Sequence, residues 1–129
     1  MKKFIFISMF FSVGFYMNAQ SKINMIWCGN KDAGNFETTT LSSDCLSEAP
    51  RFWEPEKGEF KCLSFKMLLG HDGKATLLTS NTGDFTSSIV EVLKTTGNVT
   101  YVHFFDVIVQ SPKGETELCD RVYKVNFKP

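Results

Sequence analysis

The chain has 129 residues, 14 basic against 14 acidic side chains, and an aromatic content of 14% that includes 13 Phe. That length fits one domain with a modest core. No cluster of Lys and Arg occurs after Lys2 and Lys3, which excludes nucleic-acid binding that depends on a basic patch for phosphates.

Residues 1–20 read as a secretory signal peptide. Lys2 and Lys3 form a positive start, Phe4 to Val13 an apolar core, and a short end runs to Ala19 and Gln20. Cleavage is expected beside Ala19, giving an exported protein, periplasmic or extracellular. The apolar run is too short for a bilayer span, so no membrane span is expected after cleavage, and no Cys at the junction invites lipid attachment. Removing Lys2 and Lys3 leaves 12 basic against 14 acidic residues, a charge near −2.

Cys28, Cys45, Cys62 and Cys119 all lie in the expected mature part. In an oxidising compartment an even count predicts two disulfides, whereas a zinc site lacks the C-x-x-C pair that pre-forms half a tetrahedron. Spacing leaves three connectivities open. The preferred one joins Cys28 to Cys45, holding a poorly patterned N-terminal piece, and Cys62 to Cys119, tying the first strand of the main domain to its last.

Three segments follow from composition: the signal (1–20), an N-terminal extension with a connection (21–59), and a patterned domain (60–129). In the extension Ile23, Met25 and Trp27 alternate as a weak strand, and a polar run covers Thr38 to Ser43. Residues 47–59, with Pro50, Pro55 and Gly58, read as the connection. In the domain, Phe60 to Leu69 predicts a strand with Leu63, Phe65, Met67 and Leu69 on one face. Gly70-His71-Asp72-Gly73 predicts a hairpin turn, and Lys74 to Ser80 the returning strand. Phe85, Ile89, Val92 and Leu93 share a helical stripe, which predicts a helix near Thr86 to Thr96, capped by Thr86 or Ser88 and stopped at Gly97. Val99 to Val109 has Val99, Tyr101, Phe105 and Val107 on one side and Val102, Phe104 and Ile108 on the other. A strand apolar on both faces is expected to be central and covered on both. Thr116 to Phe127 closes the domain. The predicted fold class is α+β, mainly β: an antiparallel sheet in the order strand, strand, helix, strand, strand, with a disulfide-pinned N-terminal segment.

Residues able to carry chemistry are few. His71 sits at a hairpin tip, and His103 reads as a hydrogen-bonded histidine of the central strand. Asp106, a carboxylate among apolar neighbours, is expected to be paired. No nucleophile, base and orienting group come together in the sequence, no metal-ligand spacing occurs, and no cofactor motif is present, so a non-enzymatic protein is expected. Phe52 and Trp53, between Pro50 and Pro55, are candidate partner-binding aromatics, with an aromatic lid over the core edge as the alternative. Oligomeric state is not readable.

The runs FKCLSFKM and SNTGDFTSSIVEVLKTTGNVTYVHFFDVIVQSPKG resemble the C-terminal domain of the gliding-motility and secretion protein GldM. The shared features are a strand like Leu63-Ser64-Phe65, a small-polar-Gly-aromatic entry from Asn81 to Phe85 and a helix ending at Gly97. A strand end like Phe105-Asp106-Val107 and a Pro-x-Gly turn at Pro112-Lys113-Gly114 complete them. The resemblance covers about 70 residues and implies a periplasmic, β-rich module that docks other envelope proteins of the type IX secretion or gliding machinery. The cleavable signal and the four cysteines depart from that family's plan. A second expectation is a secreted inhibitor or immunity-like protein that blocks an exported enzyme with a protruding loop such as His71-Asp72-Gly73.

Overall fold

A computed structural model of the chain describes residues 22–34 and 40–128; the signal expected over residues 1–20 lies outside them. The strands are β1 Asn24–Trp27, β2 Asn30–Ala33, β3 Thr40–Leu41, β4 Arg51–Glu54, β5 Gly58–His71, β6 Lys74–Ser80, β7 Val99–Gln110, β8 Thr116–Cys119 and β9 Tyr123–Phe127. Helix α1, Ser87–Thr95, separates β6 from β7, and a 3-10 helix, Ser43–Ser47, separates β3 from β4. The strands form one sheet in the order β2-β1-β4-β5-β7-β9-β3, with β6 added on β5 and β8 added on β7. The fold is mainly β with one α-helix, as the hydrophobic periods predict.

Strands β5 and β7 pair with each other and are long enough to serve two further neighbours each along their other edges. The start of β5 pairs with β4 and its end with β6, while β7 pairs with β9 through its first half and β8 through its second. The sheet therefore curls around a β5–β7 spine, and side chains from its two halves share one core. Trp27 of β1 stands edge-on to Phe104 of β7 at 5.1 Å and to Phe127 of β9 at 5.4 Å. Phe52 of β4 meets Tyr123 of β9 at 5.4 Å. One pairing corrects the wholly antiparallel expectation: β3 runs parallel to β9, with Asn126 opposite Thr40. Most of the chain lies between those strands and supplies the crossover that parallel partners require.

Turn chemistry explains the hairpins. Cys28 and Gly29 (φ 57° and 79°), like Asp72 and Gly73 (φ 48° and 75°), are both left-handed, the geometry of a two-residue turn whose twist suits right-twisted strands. The stretch 47–59, expected to be a connection, is largely a hairpin. Lys57 N–H donates to the Glu54 carbonyl at 3.2 Å, Glu54 pairs with Gly58, and β4 buries Phe52. The N-terminal strands are thus built into the sheet rather than laid beside it.

Bulges set which residues reach the core. On β7 the buried positions are Val99, Val102, Phe104, Val107 and Val109. Between Gly70↔Tyr101 and His71↔Val99, and again between Lys66↔Phe105 and Ser64↔Ile108, β7 carries one residue more than β5. Each extra residue reverses the alternation, and the second bulge holds Asp106 at φ 49°. A compensating bulge on β5 between Cys62 and Ser64 leaves Leu63 half-buried while Phe60, Phe65, Met67 and Leu69 are buried. β7 is central, as expected, but among the described residues no second layer covers its other face, where Tyr101, His103, Phe105 and Ile108 are half-buried. Its apolar residues change sides because the strand is bulged.

Helix α1 starts where Thr86 caps it, the hydroxyl accepting from Ile89 N–H at 3.4 Å. Ile89 enters the core, and Thr96 N–H closes the far end on the Val92 carbonyl at 2.9 Å. In the loop before it, Ser80 Oγ accepts from the Thr82 and Gly83 amides and donates to the Asp84 carbonyl. Gly83 (φ 82°) approaches the Cys62 carbonyl so closely that a Cβ would come within 2.0 Å of its oxygen.

Cys28 and Cys45 are disulfide-bonded with Cα atoms 5.4 Å apart, clipping the β1–β2 turn to the 3-10 helix. The expected Cys62–Cys119 bond is absent, and both residues are thiols. Cys62 pairs with Val109 and Cys119 with Val107, so β7 runs between them. Two strand spacings separate the pair, roughly 10 Å, beyond the ~7 Å of Cα separation that a disulfide spans.

Candidate functional site: an aromatic sheet face

Half of the curled sheet, β6-β5-β7-β9, turns one surface to solvent. Register places three rows across it. Leu77, Leu68, His103 and Lys124 form the first; Ala75, Gly70, Tyr101 and Asn126 the second; Thr79, Lys66 and Phe105 the third. Tyr101, His103, Phe105 and Leu68 are half-buried, and Leu77 is 58% exposed. Aromatic rings on a solvated sheet face, with Lys and Asn at the margin, have the make-up of an interface centre with a polar rim.

Each side chain is positioned by its neighbours. The Tyr101 ring lies over Gly70, where a Cβ would stand 2.0 Å from Cε2, so glycine gives the ring its seat. Tyr101 and His103 are tilted at 38° with centroids 4.8 Å apart. Burial, followed by the charge of Lys124, lowers the pKa of His103 below its ordinary 6.5, and the imidazole is neutral at pH 7. Beside Phe105, Lys66 Nζ lies 3.3 Å from Asp106 Oδ2, with both side chains half exposed. The pairing expected for Asp106 therefore occurs, on the surface of a bulge and not inside an apolar layer.

Phe52 and Trp53 part company. Phe52 is fully buried, because alternation along β4 turns it inward onto Tyr123, which corrects its place as a partner-binding candidate. Trp53 is half-buried on the opposite side of β4, its indole N–H donating to the Lys31 carbonyl at 3.1 Å. These two residues do not join the aromatic rows of β7. Sequence reasoning singled out His103 but missed Tyr101, Phe105, Leu68 and Leu77; two-sided apolarity in β7 without a second predicted layer was the available signal.

At the β5–β6 turn, His71 Nε2 lies 2.9 Å from Thr76 Oγ1, and Nδ1 lies 3.6 Å from Asp72 Oδ2. The second distance is too long for a hydrogen bond. Asp72 sits against Gly97, within 2.9 Å of where its Cβ would be, so the turn is folded onto the loop after α1. A groove of about 530 Å³ near that loop is lined by Leu46, Val90, Leu93 and Val99 with Lys94 and Lys128 at its rim, and neither His71 nor Thr76 faces it. Among the described residues no group of three or more His, Cys, Asp or Glu could hold a metal ion, and no helix is long and apolar enough to cross a membrane. No protein-family model and no curated protein matches this chain.

Proposed function

We propose that this protein is an exported, non-enzymatic binding module that docks another envelope or exported protein through its Tyr101–His103–Phe105 face. The observation that carries this reading is the aromatic stripe itself, held on a central strand paired along both edges and turned toward solvent. Aromatic side chains of this kind anchor protein interfaces, and sheet mounting fixes their rotamers before the partner arrives. The ordered likeness of residues 60–129 to the GldM C-terminal domain points to the same class and would place the partner in the secretion or gliding machinery. An inhibitor would require a rigid loop that protrudes; the His71-Asp72-Gly73 turn is short and folded back, which favours docking.

A photo-crosslinking residue in place of Phe105 tests this in the native envelope. It should capture one defined protein, which a crosslinker in place of Glu56, at the exposed β4–β5 turn, should not. Equal capture from both positions, or none from position 105, would overturn the reading.

A further inference from the structure

The edges of the sheet differ in how they are protected. β2 exposes Lys31 and Asp32, β3 has only two residues, and β8 is four residues long with an exposed Glu117. Charges and shortness of this kind blunt an edge against pairing with another strand. β6 has neither. It is seven residues long, Lys74 is its sole charge, it contains no Pro, and its register on β5 is unbroken from Phe65↔Ser80 to His71↔Lys74. Among the described residues it pairs only with β5. Leu77, at its centre, is 58% exposed.

We propose that the free edge of β6 pairs with β6 of a second copy of this chain, antiparallel and centred on Leu77. In that register Leu77 faces the partner's Leu77, Ala75 faces the partner's Thr79, and Lys74 faces the partner's Ser80, so no like charges meet. A two-fold contact uses the same patch on both copies, and β6 is self-complementary about its midpoint. Pairing covers the exposed Leu77 and extends the Leu68–Leu77 row into the second copy. Two aromatic faces then lie on one continuous surface.

Sedimentation velocity over a concentration series, on the chain purified in the form its cells make, tests the proposal. The wild-type chain should be a dimer. Leu77→Lys should weaken it on the order of 100-fold by bringing two lysines face to face, and Thr79→Lys on the same edge provides a second test should the first variant fold poorly. Leu118→Lys, at a leucine 56% exposed on β8, should leave the dimer intact. Leu77→Cys should oxidise to a dimer whose linking peptide contains position 77 twice, since facing Cα atoms across an antiparallel pair are within disulfide range. A monomeric wild type, or a dimer unchanged by both lysine variants, would overturn the proposal. Phe105→Glu should leave the dimer unchanged, so loss of docking and loss of pairing are separable.

Discussion

The ring of Tyr101 rests on the backbone of Gly70, directly across the β5–β7 ladder. This contact fixes an aromatic side chain on a face that no second layer of the described residues packs. Gly70→Ala inserts a methyl group where the ring sits, and the ring must leave. Overpacking of this kind costs about 1–3 kcal/mol, and the partner should bind more weakly because its anchor has moved. Thermal unfolding together with a binding titration checks both; Tyr101→Phe, which keeps the ring, should bind nearly as wild type. Unchanged binding by Gly70→Ala would mean that the ring's seat does not matter.

Acid should loosen the fold partly through His103. Its folded pKa is lowered by burial and Lys124, so between that value and 6.5 the unfolded chain binds the extra proton. Stability from this residue is complete above pH 6.5 and declines as pH falls through that window. His103→Asn should flatten the slope of stability against pH near 6 in denaturant titrations. A variant with the wild-type slope would assign the dependence to other groups.

Thiol chemistry distinguishes one disulfide from two. Burial pushes the Cys62 thiol up to about 12, so at pH 8 it should react slowly in the folded protein. Denaturation without reductant should release two reactive thiols, at Cys62 and Cys119, and leave Cys28 and Cys45 linked. Recovery of no thiols would restore the two-disulfide expectation. Replacing Cys28 and Cys45 by Ser should cost about 3 kcal/mol, the chain-entropy estimate for a loop of 17 residues.

Tyr123 holds the two ends of the described fold together. Its hydroxyl donates to the Ile23 carbonyl at 2.7 Å, and Arg121 donates to the same oxygen at 3.2 Å with its guanidinium 4.7 Å from the ring centroid. Burial, then Cys119, raises its pKa and keeps the proton on. Tyr123→Phe should cost about 1–2 kcal/mol, read by urea unfolding, because the carbonyl keeps Arg121. A loss well above that would show that the two donors act as a unit.

Strand, turn and helix positions were largely legible because they rest on local rules. Asp72-Gly73 forms the expected turn, Thr86 the expected cap, and Phe65, Met67 and Leu69 the expected core face. What escaped was set by non-local pairing. The bulges at Thr100 and Asp106 change which β7 residues face inward, and no period of two reveals an inserted residue. The sequence puts Cys62 on the domain's first predicted strand and Cys119 on its last, yet β7 lies between them. Phe52 looked like an exposed aromatic between prolines until the β4–β5 hairpin turned it onto Tyr123. The docking face became visible only when the register brought Leu68, Leu77, Tyr101, His103 and Phe105 to one side.

The most direct test of the docking claim is a binding titration of the captured partner against Phe105→Glu and Trp53→Ala, with unfolding measured on the same samples. Phe105→Glu should weaken binding by at least about 30-fold, as expected for a central anchor, at near wild-type stability, while Trp53→Ala, on the other half of the sheet, binds as wild type. Wild-type affinity in Phe105→Glu with binding lost in Trp53→Ala would contradict the account.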